Sequence, residues 1–317
     1  MPHVLILIPK FYSMSAIRNT PLIKLERLSE PGCAEIFVKC EYTNPTGSMK
    51  DRMALSMIEG AEQRGQLKAG GTIVEYTGGS TGSSLAMVCA VKGYKAKFFS
   101  SDAFAEEKLQ TMRAFGAELD ITKSEDGKIT AKLIDTLIAK AREASKQPNT
   151  FWTDQFTNVD NRNAYHQMAK EIIGVLGNNI DEFIMGVGTG GCFSGNAEIL
   201  KKEIPSIRCL AIEPYYVRSL SGGDISGKHK LEGIGTGFIP SICRRDLADE
   251  IIAVKDEDAM ETARKLARTE GIFGGTTSGA NVWAAIQRAR VLGPGKKIVT
   301  VIVDSGLKYL KGELYKN

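Results

Sequence analysis

The chain has 317 residues, 43% hydrophobic and 25% charged, with a formal net charge of +4, enough for about two globular units and too little basic excess for a nucleic-acid surface. Its basic pairs, Lys201-Lys202, Arg244-Arg245 and Lys296-Lys297, are scattered without interleaved aromatics, which also argues against nucleic-acid binding. Six cysteines without a C-x-x-C spacing and three dispersed histidines point to reduced thiols and to no metal site.

The apolar opening at 4–8 lacks a basic flank and is broken by Pro9, so it does not read as a signal peptide, and no later run is long enough to span a bilayer. A cytoplasmic protein is expected, with an organellar matrix as the second possibility. Residues 35–42 alternate as a strand, and Met53, Ala54, Met57 and Ile58 repeat at helical spacing until about Gly65. Between them runs Asn44-Pro45-Thr46-Gly47-Ser48-Met49-Lys50-Asp51-Arg52, which puts Lys50 in the first helical turn. The positive end of a helix and a partly dry pocket both disfavour the ammonium form, leaving an amine able to form a Schiff base. An ordinary surface lysine is the plainer alternative.

Residues 72–76 read as a buried strand running into Thr77-Gly78-Gly79-Ser80-Thr81-Gly82-Ser83, and a helix with Leu85, Val88 and Cys89 follows until Gly93. Clustered hydroxyls and backbone amides at such a junction suit a carboxylate or phosphate; a simple helix cap with turn glycines is the competing reading. Residues 95–100 form the next expected strand, with Ser101-Asp102 capping a helix that bears Phe104, Leu109 and Met112. A strand at 119–122 and a helix with Leu133, Ile134, Leu137 and Ile138 follow. Strands alternating with helices predict parallel sheets covered on both faces.

The second half opens at 151–156, continues through a helix with Tyr165, Met168, Ile172 and Ile173, and reaches the strand Phe183-Ile184-Met185. Gly186-Val187-Gly188-Thr189-Gly190-Gly191-Cys192 then precedes a helical run from Phe193, the arrangement that cradles a phosphate on helix amides. A dinucleotide loop, with Glu213 as its acidic partner, and a ligand-free packing turn remain open on these residues alone. The glycine-rich excursion at 222–237 suits a site wall that opens. Strands at 251–254 and 298–303 and helices from Asp256 and Thr276 complete the chain, and Asp304-Ser305-Gly306 ends the last strand on the rim where α/β proteins bind ligands.

An amine at Lys50, a phosphate cradle at 188–192 and a polar group at Ser305 fit one aldehyde-bearing phosphorylated cofactor, pyridoxal 5′-phosphate. From Asn19-Thr20-Pro21-Leu22 to Asp304-Ser305-Gly306-Leu307-Lys308-Tyr309-Leu310, the chain resembles the cysteine synthase and cystathionine β-synthase group of fold-type II pyridoxal-phosphate enzymes. The matching stretches also include His229-Lys230, Gly237-Phe238-Ile239-Pro240 and Glu270-Gly271-Ile272.

The resemblance implies an α/β fold of two three-layer α/β/α domains with mostly parallel sheets: a smaller mobile unit at 45–150, and a larger one from 1–44 and 151–317. It implies that Lys50 holds the cofactor and removes the substrate's α-proton. Gly188, Thr189, Gly190, Gly191 and Cys192 would hold the phosphate, Ser305 would face the pyridine nitrogen, and Ser80 would touch the cofactor. Thr77, Gly78, Ser80, Thr81 and Gln155 would receive the substrate carboxylate, with Gly235 along the wall.

The implied reaction is β-replacement on an O-activated L-serine by sulfide or a thiol through an aminoacrylate, in a homodimer acting on a small amino acid. β-Elimination, as a cysteine lyase or a serine/threonine dehydratase, is the alternative, and a non-catalytic amino-acid-binding subunit a remote one. Four departures from the group's pattern stand out. Ser80 replaces an asparagine that touches the cofactor's ring oxygen, Gly78 replaces a serine, Cys192 replaces a phosphate-binding threonine, and Leu307-Lys308 replaces Glu-Arg.

Overall fold

The computed structural model describes residues 13–128 and 130–316, so the apolar opening at 4–8 lies outside the described residues. Two sheets carry the fold. The larger is built from β1 (Leu22–Lys24), β2 (Glu35–Cys40), β7 (Glu182–Gly186), β8 (Arg208–Pro214), β9 (Glu250–Val254) and β10 (Lys297–Ile302), in the order β1-β2-β10-β7-β8-β9. Only β1 runs antiparallel to its neighbour. The smaller sheet, β5-β4-β3-β6, is wholly parallel and contains β3 (Thr72–Tyr76), β4 (Lys95–Ser101), β5 (Glu118–Thr122) and β6 (Thr150–Trp152).

Alternation along the strands decides the layers. In β10, Val299 and Val301 enter one core while Ile298 and Ile302 enter another, and β7 divides Phe183 and Met185 from Ile184 in the same way. Both faces of the larger sheet are therefore covered by helices, the condition under which parallel strands are stable. A separate core of Val74, Phe99, Leu133, Leu137 and Ala141 joins the smaller sheet to α4 (Ala131–Ala144).

Helix α1 (Lys50–Gln63) buries Met53, Ala54, Met57, Ile58 and Ala61 at helical spacing, and the positive φ of Gly65 turns the chain away just after it. Helix α2 (Ser80–Lys92) ends at left-handed Gly93, as its sequence predicts. Each fully buried Met or Ile contributes about 1.5–3 kcal/mol, so the inner face of α1 alone holds its loop firmly.

One cap differs from expectation. Helix α3 (Glu106–Ala114) starts after Ala105, leaving Phe104 outside it, because the Asp102 carboxylate accepts the Ser124 amide at 2.8 Å instead of capping the helix. Helices α5 (Val159–Asn163), α6 (His166–Leu176), α7 (Gly191–Glu203), α8 (Asp256–Glu270) and α9 (Thr276–Leu292) complete the set. Among the described residues no helix is long and apolar enough to cross a membrane.

Candidate active site

The loops leaving the carboxyl ends of β3, β7 and β10, together with the loop that opens α1, converge on a cavity of about 1380 Å³. Its wall includes Lys50, Thr77, Gly78, Ser80, Thr81, Gln155, Gly188, Thr189 and Gly235. Gly190, Gly191, Cys192 and Ser305 are not part of that wall.

Lys50 is the first residue of α1, and its amide is held by the buried Ser48 hydroxyl at 3.2 Å. Its side chain is half-buried, and burial is the main force lowering the basicity of its amine; the neighbouring Lys308 adds to this while Asp304 opposes it. The expected weakening of the ammonium is thus present, with desolvation as its leading cause.

The loop after β3 is built around Thr77, whose hydroxyl oxygen accepts the amides of Gly79 at 3.3 Å and Gly82 at 3.1 Å. Its own hydrogen is left to donate. Thr81 donates to Gln155 Oε1 at 2.9 Å, fastening α2 to the loop after β6. Gly78 is explained by its neighbour: a Cβ there would meet the Phe104 ring at 2.1 Å, so the serine of the related pattern has no room.

The second loop is shaped by close approach. A Cβ on Gly188 would lie 2.0 Å from the Gly233 carbonyl oxygen, and one on Gly191 would lie 2.3 Å from Asn161 Oδ1. Gly190 adopts φ +84°, a left-handed conformation that glycine takes without strain, immediately before α7. The first-turn amides of α7 have no intrahelical acceptor. The Cys192 thiol is buried and accepts a weak bond from Asn196 Nδ2 at 3.6 Å, and burial pushes it above the ordinary thiol range. Ser305 caps the 3₁₀ turn Gly306–Tyr309 by accepting the Leu307 amide at 3.2 Å, and its own amide bonds the Gly47 carbonyl at 3.0 Å, against the Lys50 loop. Gly235 has φ +70° and donates its amide to the Val187 carbonyl, and a Cβ there would lie 2.5 Å from the Pro214 ring.

Glu213 does not serve a dinucleotide. Its carboxylate is buried and accepts the Leu220 amide at 2.8 Å and the Ser221 amide at 3.3 Å, so it organises the following turn and faces no ribose position.

Two residues without a sequence signal belong to the site. Asn161 donates to the Gln155 carbonyl at 2.7 Å and the Thr189 hydroxyl at 3.2 Å, joining the two ligand loops. Asp304 lines the cavity, accepts from the Tyr309 hydroxyl at 2.7 Å, and among the described residues has no hydrogen-bond partner for its Oδ1. Burial raises its carboxyl above the ordinary range. Asn161 sits in a short polar helix whose sequence resembles any surface turn, and Asp304 is overshadowed by the serine beside it.

A family profile described as pyridoxal-phosphate dependent enzyme matches residues 14–304. A cysteine synthase of Staphylococcus aureus is 44% identical over 301 residues, covering 94% of this chain and 95% of that protein. The crystal structure of a cysteine synthase from Entamoeba histolytica superposes with a TM-score of 0.90 at 34% identity, over 100% of this chain and 93% of that one. A hydrogen sulfide-producing enzyme from Fusobacterium nucleatum has a TM-score of 0.86 at 41% identity, covering 94% and 99% respectively.

Pyridoxal phosphate fits the residues present. An aldehyde needs a weakly basic amine, which Lys50 supplies, and a phosphate needs helix-end amides without intrahelical acceptors beside side-chain-free backbone, which the turn before α7 supplies, its Gly191 amide resting at 3.3 Å on the Thr189 hydroxyl. The cavity has room for the cofactor and an amino acid together. The amine, the cradle and the matches along nearly the whole chain lead to one assignment: the protein belongs to the pyridoxal-phosphate dependent enzymes, among the cysteine synthases.

Proposed function

We propose that the enzyme replaces the β-leaving group of an O-activated L-serine, such as O-acetylserine, with sulfide or a thiol. The carrying observation is that the half-buried Lys50, a hydroxyl-rich loop and a glycine cradle line one cavity. When bound, pyridoxal phosphate supplies the electron sink that makes an amino acid's α-proton acidic.

Lys50 would hold the cofactor through its side-chain amine and would accept the α-proton at Nζ, a task suited to an amine whose basicity burial has reduced. Gly188, Thr189, Gly190, Gly191 and Cys192 would hold the phosphate; the Thr189 hydroxyl, which accepts the Gly191 amide at 3.3 Å, is steadied by Asn161. Ser305 would face the ring nitrogen with a neutral hydroxyl and so would limit the electron sink the cofactor supplies. Thr77, with its free hydroxyl hydrogen, binds the substrate carboxylate with Gly78, Ser80 and Thr81. Gln155 contributes an N–H, since among the described residues its Nε2 bonds only the Tyr76 carbonyl, and that bond is long at 3.4 Å. Gly235 forms the wall beside the substrate side chain.

Residues 45–150 act as a smaller mobile unit that closes over the substrate and excludes water; the smaller sheet, three of whose four strands lie wholly in this segment, and the Lys108–Glu232 ion pair between two cavity-lining residues support this. The working form is a cytoplasmic homodimer. The six unpaired cysteines suit a reducing compartment, and sedimentation of the purified enzyme tests the stoichiometry.

The deciding experiment gives the purified holoenzyme O-acetylserine with sulfide, and separately cysteine alone. Rapid cysteine formation in the first mixture is expected, together with loss of turnover and of covalent cofactor in Lys50→Ala. Sulfide release from cysteine with no use of O-acetylserine would replace this reading with β-elimination, which the similarity to the hydrogen sulfide-producing enzyme favours.

A further inference from the structure

Two positions that depart from the cysteine synthase pattern, Ser80 and Lys308, are 228 residues apart and touch, with the Lys308 amine donating to the Ser80 hydroxyl oxygen at 3.3 Å. Lys308 belongs to the 3₁₀ turn after β10, and its Cε and the Ser305 Cβ both flank Gly47. Its side chain therefore passes beneath the loop that carries Lys50, from the Ser305 end of the site to the Ser80 end. Lysines usually carry their charge into water. Here the side chain is half-buried, and among the described residues its amine forms no ion pair.

The charged groups around it are Asp51 from α1, Asp304 after β10, Lys108 from α3 and Lys50 itself. Asp51 is already occupied by the Thr46 amide at 2.8 Å, the Thr46 hydroxyl at 2.5 Å and the Ser84 hydroxyl at 2.6 Å. Asp304 accepts from Tyr309. Burial lowers the basicity of the Lys308 amine, and both acids work against that.

An ammonium has three donors and no acceptor, so Ser80 Oγ is the acceptor in this contact and the hydroxyl hydrogen is turned elsewhere. Ser80 lines the cavity with Lys50, so that hydrogen is available to a bound molecule. The chemistry of the cofactor names the acceptor. In pyridoxal phosphate the aldehyde carbon stands between the phosphate arm and the ring hydroxyl oxygen. With the aldehyde at Lys50 and the phosphate toward Gly188 and Thr189, the ring oxygen falls on the opposite side, toward the loop that carries Ser80.

Resting on the cofactor roles above, we propose that Lys308 is a positioning residue, which fixes the Ser80 hydroxyl so that it donates to the ring oxygen of the bound cofactor. A serine is shorter than the asparagine it replaces and rotates freely. Lys308 supplies the orientation that the longer amide would carry by itself, so the two departures form one compensating pair.

The test is the visible absorption of the holoenzyme, titrated with pH in the parent, Lys308→Met, Lys308→Arg, Ser80→Ala and the Ser80→Ala/Lys308→Met double variant. Losing the oriented donor tightens the proton shared between the Lys50 nitrogen and the ring oxygen. Lys308→Met therefore raises the midpoint by about one pH unit, a tenfold change in proton affinity. Ser80→Ala raises it similarly, Lys308→Arg stays near the parent, and adding Lys308→Met to Ser80→Ala adds less than half as much again. A Lys308→Met midpoint equal to the parent's, or a full additional rise in the Ser80→Ala background, overturns the inference. Should Lys308→Met fail to fold, the comparison of Lys308→Arg with Ser80→Ala decides: equal midpoints reject the pair. A parent protein without a visible band rejects the cofactor reading itself, an outcome distinct from all of these.

Discussion

Substituting Glu171 with glutamine tests how the Lys50 helix is anchored. The Arg52 guanidinium, fully buried two residues after Lys50, forks to Glu41 at 2.7 and 2.8 Å and to Glu171 at 2.9 and 2.8 Å. Lys39, also buried, reaches Glu171 at 2.8 Å. Two cations and two anions balance, so removing one carboxylate leaves an uncompensated buried charge. Burial pushes the Glu171 carboxyl up, but the Arg52 bonds and charge outweigh it and hold the group at about 2, against 4.5 in an open chain.

A folded-state value below the unfolded one gives stability that is fully present above pH 4.5 and is lost as pH falls toward 2. Converted by linkage, that is about 3 kcal/mol at neutral pH, at the lower end of the roughly 3–5 kcal/mol that breaking a buried pair costs. Urea unfolding of the apoprotein, followed by circular dichroism and fluorescence together, measures it at a series of pH values. Glu171→Gln is expected to lose about 3 kcal/mol at pH 7, with the deficit shrinking below pH 4.5. A deficit under about 1 kcal/mol, or one that stays constant into acid, refutes the account of the network.

Gly188→Ala sets a Cβ against the Gly233 carbonyl, a main-chain clash that no rotamer relieves; cofactor affinity, read by equilibrium dialysis, should fall by about 1–3 kcal/mol. Gly78→Ser should raise KM for the amino-acid substrate because the Phe104 ring fills the space, and Gly78→Ser/Phe104→Ala should recover much of the loss; an unchanged KM in the single variant rejects that explanation. Asn161→Ala leaves the buried Gln155 carbonyl unpaired and frees Thr189. A loss of about 1–3 kcal/mol shared between stability and cofactor affinity is expected, and a variant with parental values in both shows that the bridge is idle.

Much of the site was legible because its signals are local. A strand, a short turn and a helix are written in contiguous residues, so the junctions at Lys50, at 77–81 and at 186–191 could be placed from periodicity and glycine spacing alone. Where a local signal misled, a distant partner had taken the side chain. Asp102 reads as a cap yet serves Ser124, and Glu213, which left a dinucleotide loop open as an alternative, serves the Leu220 turn.

What the amino-acid order determined was therefore the set of strand–loop–helix units and the presence of a first-turn lysine and two glycine- and hydroxyl-rich loops among them. The tertiary structure alone decided the rest: that β10 lies between β2 and β7, that Asn161 ties one loop to the other, that Phe104 forbids a side chain at Gly78, and that Lys308 reaches Ser80. These pairings span tens to hundreds of residues, and which partners meet depends on how every intervening element packs.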